Sequence, residues 1–211
     1  MTEDPTGPPV VAGVDGSRPS MEAVDVAAAE ASLRGLPLEL VHGFWPPVTP
    51  PLDGAPDFAL PALREQAELL LREAAARVRS AHPGQAVISR LHDGQPAGVL
   101  AAASRHASLV VVGNRGRGGF AGLITGSVPV QLAAHAAGPV MVVCGDGAWR
   151  RPGPVVVGVD GSDGARQAAE FAIDTAALYE TPLVVVHAWY PGAAWPPAHA
   201  QAGYPPPTTD L

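Results

Sequence analysis

The segment GNRGRGGFAGLITGS, residues 113–127, combines residue types that can bind a phosphate group. It follows the apolar run SLVVV, which favours a strand, and precedes VPVQLAAHAA, which favours a helix. Gly113 and Gly116 end the predicted strand, and glycine can adopt positive φ and leave backbone N–H groups uncovered. We therefore expect a turn whose amides point toward an anion.

The far end of this segment is the predicted start of a helix. Ser127 is placed either to cap the helix or to donate its hydroxyl, while the free N–H groups of the first turn attract an anion. Pro129 costs little there, because its missing N–H would be unpaired anyway. Arg115 and Arg117 add positive charge beside the same concavity. The alternative is a glycine-rich surface loop followed by an ordinary serine cap.

Other site motifs are weak or missing in this sequence. No lysine follows Gly126, so the segment is not the GxxxxGK[ST] phosphate loop. The letters GRGGFA, 116–121, satisfy G-x-G-x-x-A, but they follow the fourth predicted strand and no acidic residue is placed for a ribose. The seven histidines show neither HxH nor HExxH spacing, so we expect no structural metal site. We interpret His42 and His187, in apolar strands, as core histidines with satisfied hydrogen bonds.

A second polar group, Asp15-Gly16-Ser17, follows the first predicted strand. These residue types favour a turn and a helix cap, and the alternative is that Asp15 contacts a ligand. The same three letters return at 160–162 without a glycine-rich partner segment, and there the capping interpretation is preferred.

Short apolar runs and longer helical stretches alternate from residue 9 to residue 144. Predicted strands cover 9–14, 38–44, 86–91, 108–113 and 139–144, and predicted helices cover 19–34, 62–80, 95–107 and 128–137. In helix 62–80 the apolar stripe contains Leu63, Leu70, Ala74 and Val78. This alternation predicts a doubly wound α/β fold with a five-stranded parallel sheet. Ligands bind such sheets at the carboxyl ends of the strands, where the glycine-rich segment begins.

The chain also contains an internal repeat. VVAGVDGS at 10–17 returns as VVVGVDGS at 155–162, and LELVHGFWP at 38–46 returns as LVVVHAWYP at 183–191, both at an offset of 145 residues. The second copy holds one strand, one helix and one strand, so an incomplete βαβ repeat follows the first domain. We expect the Pro-rich tail 192–211 to be disordered.

Composition excludes several classes of protein. The net charge of −7 argues against a nucleic-acid partner. The N-terminus does not resemble a signal peptide, and no apolar run approaches the roughly 20 residues of a membrane span. A single cysteine, Cys144, fits a reducing compartment, so we expect a cytoplasmic protein without a membrane partner.

The spacing G-x2-G-x9-G-S, formed by Gly113, Gly116, Gly126 and Ser127, resembles the nucleotide-binding signature of the universal stress protein family. VVAGVDGS, LVHGF, LVVVGNRGRGG and GPVMVV agree with the same family. The resemblance covers 9–144 as a complete domain and 154–191 as the first third of another. It implies a Rossmann-like domain of the adenine nucleotide alpha hydrolase type that binds ATP, with Mg²⁺ as an optional companion.

The resemblance also implies a role for each matching residue. Asp15 would lie beside the ribose and phosphates, Gly13 near the adenosine, and Gly43 where backbone groups hold adenine. Gly113 and Gly116 would approach the phosphates with Arg115 nearby, and the far end of the phosphates would meet Gly126, Ser127 and Val128. No catalytic residue and no protein metal ligand is assigned. Pro129 replaces a small hydroxyl residue common in the family, which weakens the expected γ-phosphate contact.

These expectations divide the chain into five segments. They are a disordered tail 1–8, a nucleotide-binding domain 9–145, a linker 146–153, a partial second domain 154–191 and the tail 192–211. Because the family commonly pairs domains through the last strand, we expect a homodimer through 139–144.

The expected function is that of an ATP-binding regulatory protein in a stress response. The alternatives are a slow ATPase, for which Asn114, Thr125, Ser127 and Asp15 are the available polar groups, and an interaction scaffold that binds no nucleotide.

Overall fold

A computed structural model of the chain describes residues 7–46, 59–116, 126–144 and 153–188. The chain divides into two compact units, Met1–Gly153 and Pro154–Leu211. The predicted tail 192–211, most of the predicted tail 1–8, most of the predicted linker and residues 117–125 lie outside the described residues.

The first unit alternates strands and helices. In chain order its elements are β1 (Val10–Gly13), α1 (Arg18–Arg34), β2 (Leu38–Phe44), α2 (Ala59–Ala81), β3 (Val87–Asp93), α3 (Pro96–Ala103), β4 (Leu109–Gly113), α4 (Ser127–His135) and β5 (Val140–Val143). Every strand predicted for this unit is present, with ends that differ by at most two residues. Helix α3 ends four residues before its predicted end at 107, at a turn that leads into β4.

The five strands form one parallel sheet in the order β3-β2-β1-β4-β5. Val10 of β1 is paired with Leu38 of β2 on one side and with Leu109 of β4 on the other. The predicted fold class is therefore confirmed. Because the chain runs from β1 outward to β3 and then returns to β4, the order reverses between β1 and β4. The carboxyl ends of these two strands consequently flank the crevice in which ligands of such sheets bind.

The central strands are buried on both faces. Val10, Val11 and Val110 are fully inaccessible to solvent, as expected for a parallel sheet covered by helices. On one face, Leu100 of α3 and Leu132 of α4 pack in a cluster with strand residues. This packing holds the ends of β1 and β4 in place beneath the crevice.

The apolar stripe of α2 differs from its prediction. Ala74 and Val78 are buried as expected, but Leu63 is 37% exposed. Leu63 lines an open groove together with Trp45 and with Phe44 at the end of β2. The buried stripe instead contains Ala67, Leu71, Ala74, Ala75 and Val78.

The second unit contains β6 (Val155–Gly158), α5 (Asp163–Leu178) and β7 (Leu183–Val186). Its two strands are parallel, and Val155 is paired with Leu183 as Val10 is with Leu38, at the offset of the sequence repeat. The nitrogen Nδ1 of His187 lies 2.6 Å from the carbonyl oxygen of Val159, so its hydrogen bond is satisfied. The prediction that His187 lies in a core is wrong, because the side chain is exposed at the end of a two-stranded sheet.

Within the described ranges, none of the helices has the length and apolarity needed to cross a bilayer.

Candidate functional site

A cavity of about 350 Å³ opens at the carboxyl edge of the sheet, where β1 and β4 diverge. All of the residues predicted for the site line this cavity: Gly13, Asp15, Gly43, Gly113, Arg115, Gly116, Gly126, Ser127 and Val128. The described lining also includes residues that sequence reasoning did not assign to a ligand: Val14, Ser20, Val41, His42, Pro96, Leu100, Val112 and Pro129. Most of these are apolar core residues, for which spacing alone provides no site signal.

The floor of the cavity is apolar and tightly packed at the end of β1. A Cβ atom built on Gly13 would lie 2.9 Å from Cδ1 of Leu100 and 3.1 Å from Cγ1 of Val112. Glycine at this position therefore lets α3 and β4 approach β1 closely. The floor therefore offers an apolar surface to a ligand.

Asp15 belongs to a turn and to the cavity at the same time. Its Oδ1 accepts a hydrogen bond of 2.9 Å from the backbone N–H of Ser17, and its own N–H donates to Oγ of buried Ser20 at 3.0 Å. Ser17 caps α1 by accepting from the N–H of Ser20 at 3.3 Å. A Cβ atom on Gly116 would collide with Oδ2 of Asp15. The second carboxylate oxygen thus lies against the start of the glycine-rich segment.

The wall formed by β2 requires a glycine for reasons of packing. A Cβ atom on Gly43 would lie 2.7 Å from Cα of Pro96 and 3.1 Å from the carbonyl oxygen of Gly94. Beside it, Nδ1 of His42 lies 2.6 Å from the carbonyl oxygen of Val14, so Nδ1 carries the proton and donates it. The predicted satisfied hydrogen bond of His42 is confirmed, but the residue is half-buried and lines the cavity.

The glycine-rich segment differs from its prediction in backbone conformation. Gly113 and Gly116 are not among the glycines with positive φ. A Cβ atom on Gly113 would lie 2.6 Å from the carbonyl carbon and oxygen of Pro19, so close approach to α1 explains this glycine. The N–H of Gly126 donates to the carbonyl oxygen of Asn114 at 2.7 Å and joins the two ends of the segment.

The start of α4 also differs from its prediction. Gly126 is the N-cap residue, with φ −73° and ψ 170°, and Ser127 is the first helical residue. The N-cap residue provides no capping side chain, because it is glycine. Within the described part of the chain, the N–H groups of Ser127 and Val128 have no acceptor. Pro129 follows them, buried and without an N–H group.

The counterpart of this region in the second unit is a simple capped helix. The N–H of Ser162 donates to Oδ1 of Asp160 at 2.9 Å, and Oγ of Ser162 accepts from the N–H of Ala165 at 3.1 Å. The hydrogen bond from the Ser162 side chain, followed by that from its backbone, lowers the pKa of Asp160. The predicted capping role of 160–162 is confirmed.

The two ends of the cavity differ in chemistry. Val41, Leu100 and Val112 form an apolar part of the lining, while Arg115 and the start of α4, with its open N–H groups, form a part that favours an anion. Asp15 and Arg115 contribute opposite charges to the described lining. The arrangement suits a ligand with a flat, mostly apolar ring system and an anionic tail.

Known proteins resemble this chain over most of its length. The sequence model of the universal stress protein family matches residues 8–143 and 153–206. A universal stress protein of Mycobacterium tuberculosis is 35% identical over 221 residues, which cover 93% of this chain and 70% of the relative. Another universal stress protein of that species is 40% identical over 209 residues, which cover 92% and 70%.

Solved structures agree with these sequence relatives. A universal stress protein in complex with cAMP is 30% identical, with a TM-score of 0.51, and covers 65% of this chain and 97% of its own. A universal stress protein from Archaeoglobus fulgidus has a TM-score of 0.68 over 89% of this chain and 69% of its own. At 23% identity the second likeness shows the fold alone.

Proposed function

Because the chain belongs to the universal stress protein family, we propose that its first unit binds an adenine nucleotide, with ATP as the expected ligand. Binding would change the contacts of the protein with its partners, as in a nucleotide-dependent regulator of a stress response. One observation carries the proposal: residues far apart in sequence line one cavity with an apolar end and an anion-binding end. The relative solved with cAMP supports the same ligand class.

The base would occupy the apolar end of the cavity. Gly13, Leu100 and Val112 provide a flat floor beneath it. The backbone at Gly43 lies at the rim, where its polar groups can bond to the edge of a purine. A ring system there would exchange water contact for contact with the apolar side chains, which favours binding.

The phosphates would occupy the end formed by the glycine-rich segment and α4. At Gly126 the missing side chain leaves room for an anion to approach the backbone beside the first N–H groups of α4. The guanidinium of Arg115 adds positive charge. If Mg²⁺ accompanies the nucleotide, the carboxylate of Asp15 is the group in the described lining that would hold it, with phosphate oxygens as further ligands.

Substitution of Gly126 by valine tests this proposal. The backbone at Gly126 suits any residue, and a Cβ atom there would meet its nearest described neighbour at 3.4 Å, so the fold should tolerate the change. The added methyl groups would occupy the phosphate position, and binding should fall by at least about 100-fold. The measurement is titration with a fluorescent ATP analogue, followed by displacement with unlabelled ATP.

Gly98→Val is the matched control. Gly98 lies on the exposed side of α3, outside the described lining, and a Cβ atom there meets nothing within 4 Å. This variant should bind the analogue as the original protein does. Lack of saturation of the original protein at millimolar analogue would remove the nucleotide proposal and leave the scaffold hypothesis.

A further inference from the structure

We infer that Ser20 is a positioning residue of the site, whose hydroxyl holds Asp15 where its carboxylate meets the ligand. The inference rests on the proposed function, since it concerns how the same cavity orients one of its charged groups. Ser20 is the third residue of α1, is 4% exposed and lines the cavity.

Hydrogen bonds hold the backbone where the chain continues past β1. The N–H of Val14 donates to the carbonyl oxygen of Val41 at 2.9 Å, and the carbonyl oxygen of Val14 accepts from Nδ1 of His42. Asp15 comes next, and its N–H donates to Oγ of Ser20 at 3.0 Å. Ser20 therefore provides the hydrogen bond that fixes the backbone of Asp15 to α1.

Three hydrogen bonds form a closed ring at this turn. Oδ1 of Asp15 accepts from the N–H of Ser17, Oγ of Ser17 accepts from the N–H of Ser20, and Oγ of Ser20 accepts from the N–H of Asp15. The carboxylate is thus held both through its own oxygen and through the backbone that carries it. Held in this way, its other oxygen lies against Gly116 at the start of the glycine-rich segment.

The second unit provides a comparison, because its turn lacks the third of these bonds. Its backbone past β6 is bonded to the neighbouring strand and to a histidine in the same way. The N–H of Ser162 donates to Oδ1 of Asp160 at 2.9 Å, and the N–H of Ala165 donates to Oγ of Ser162 at 3.1 Å. Ala165 corresponds to Ser20 in the repeat, and alanine has no hydroxyl that could accept the N–H of Asp160.

The helix cap by itself does not explain Ser20. Helix α5 begins with the same serine cap as α1, although alanine is its third residue. The hydroxyl of Ser20 is thus an addition to a turn that can form without it, at the place where that turn lines a cavity. We therefore expect the hydroxyl to act on ligand binding through Asp15.

The test is a double-variant cycle, with ATP affinity measured by calorimetry on the full chain. Ser20→Ala should lower ATP affinity about fivefold, because the carboxylate of Asp15 is no longer fixed through its backbone. In the Asp15→Asn background the same change should lower ATP affinity by less than about twofold, since the charge that Ser20 positions is already gone. A purely structural role of Ser20 would give equal losses in the two backgrounds.

Two results with a protein that binds ATP overturn the inference. One is unchanged ATP affinity in the Ser20→Ala variant. The other is an equal loss with and without the charge of Asp15, because Ser20 would then act independently of this carboxylate. If the original protein does not bind ATP, the proposed function fails, and this inference fails with it.

Ala165→Ser is the matched control. It makes the reverse change at the corresponding position of the second unit and should leave ATP affinity unchanged. Ser20→Ala should fold, because the second unit forms the same turn and cap with alanine at this position. If circular dichroism shows that it does not fold, Ser20→Cys replaces it in the cycle, since a thiol is a weak acceptor, and the same results decide.

Discussion

At the scale of single residues, the glycines that line the cavity are required for different structural reasons. Side chains at Gly43 and Gly113 would collide with the backbone of Pro96 and Pro19, so both glycines are required by packing with or without a ligand. Gly126 has ordinary room for a Cβ atom and a backbone open to all residues. Its lack of a side chain is therefore explained best by the ligand that we propose, and it is the position at which a substitution reports on binding.

The role of Asp15 in binding can be tested with Asp160, its counterpart in the repeat, as the control. Asp15→Asn keeps an oxygen that can accept the 2.9 Å bond from the N–H of Ser17, but it removes the charge beside Gly116. We expect ATP affinity to fall about tenfold, because a charge-assisted contact to the ribose or to Mg²⁺ is lost. Asp160→Asn makes the same change in a turn without the glycine-rich segment and should leave affinity unchanged.

The rate of phosphate release from ATP, measured with the same two variants, distinguishes a regulatory protein from a slow ATPase. Steady release by the original protein, abolished by Asp15→Asn and retained by Asp160→Asn, would favour the slow ATPase. Equal loss of ATP affinity in both variants would contradict the role of Asp15.

Glu39 is a buried charge with two partners. Its side chain is 4% exposed and lies 3.0 Å from Nε of Arg90 and 3.4 Å from Nε2 of His106. Arg90→Met should lower the free energy of unfolding of the first unit by about 2 kcal/mol, since it leaves the buried carboxylate with one weaker partner. Urea denaturation measures this loss.

Glu39→Val is the variant to compare with Arg90→Met, because the corresponding residue of the repeat, Val184, is a valine. The variant removes the partner of Arg90 and His106, but both side chains are half-exposed and water can solvate them. We therefore expect the free energy of unfolding to fall by less than about 1 kcal/mol. The double variant should then lose less than Arg90→Met alone. If Arg90→Met leaves the free energy of unfolding unchanged, burial of Glu39 does not depend on its ion pair with Arg90.

At the scale of elements, β5 is an edge strand of the five-stranded sheet. The carbonyl oxygen of Pro139 accepts from Val110 of β4, and that of Val143 accepts from Asn114, directly after β4. The N–H and C=O groups of Val140 and Val142 therefore point away from the sheet. An open edge of this kind favours pairing with another strand. We propose that two copies of the chain pair through 139–144.

Val142→Pro tests this dimer. Proline removes an outward N–H without removing a bond to β4, so the variant should be monomeric if the edge forms the dimer. Light scattering coupled to gel filtration gives the mass. Ser89→Pro is the control, since Ser89 has the same outward position on β3 at the opposite edge. A monomeric original protein, or a dimeric Val142→Pro variant, would remove the proposal.

At the scale of the whole molecule, the two units differ in how well they bury their repeated strands. Val11 and Val41 are 0% and 1% exposed, whereas their counterparts Val156 and Val186 are 61% and 47% exposed. In the first unit, β4 and helices α3 and α4 cover this face. In the described part of the second unit, α5 is the only helix, and the buried apolar residues there are Val157, Ala172 and Ala176.

We therefore propose domains at 9–145 and 154–191, of which the first folds by itself. A fragment 1–153 should unfold in one cooperative transition and bind ATP as the full chain does, because it contains the whole cavity. A fragment 154–211 should show little helix by circular dichroism, since it buries too little apolar surface. A loss of ATP binding in 1–153 would contradict this division.

Much of the fold could be predicted because its signals are local. Short apolar strands alternating with helical stretches specify a parallel, doubly wound sheet, and the repeat at an offset of 145 residues is matched by the same strand pairing in both copies. The spacing of glycine and serine after β4 also selected residues that line one cavity. These features depend on neighbours along the chain, so the sequence by itself determined them.

Only the tertiary structure decided how the site is built. Gly113 is required by Pro19, Glu39 is bonded to His106, and Gly126 rather than Ser127 caps α4. Each of these depends on how closely separate elements approach, or on how a chain closes across a long segment. Periodicity and spacing describe which face of an element is apolar, but the distance between two elements is set by the packing of all their side chains together.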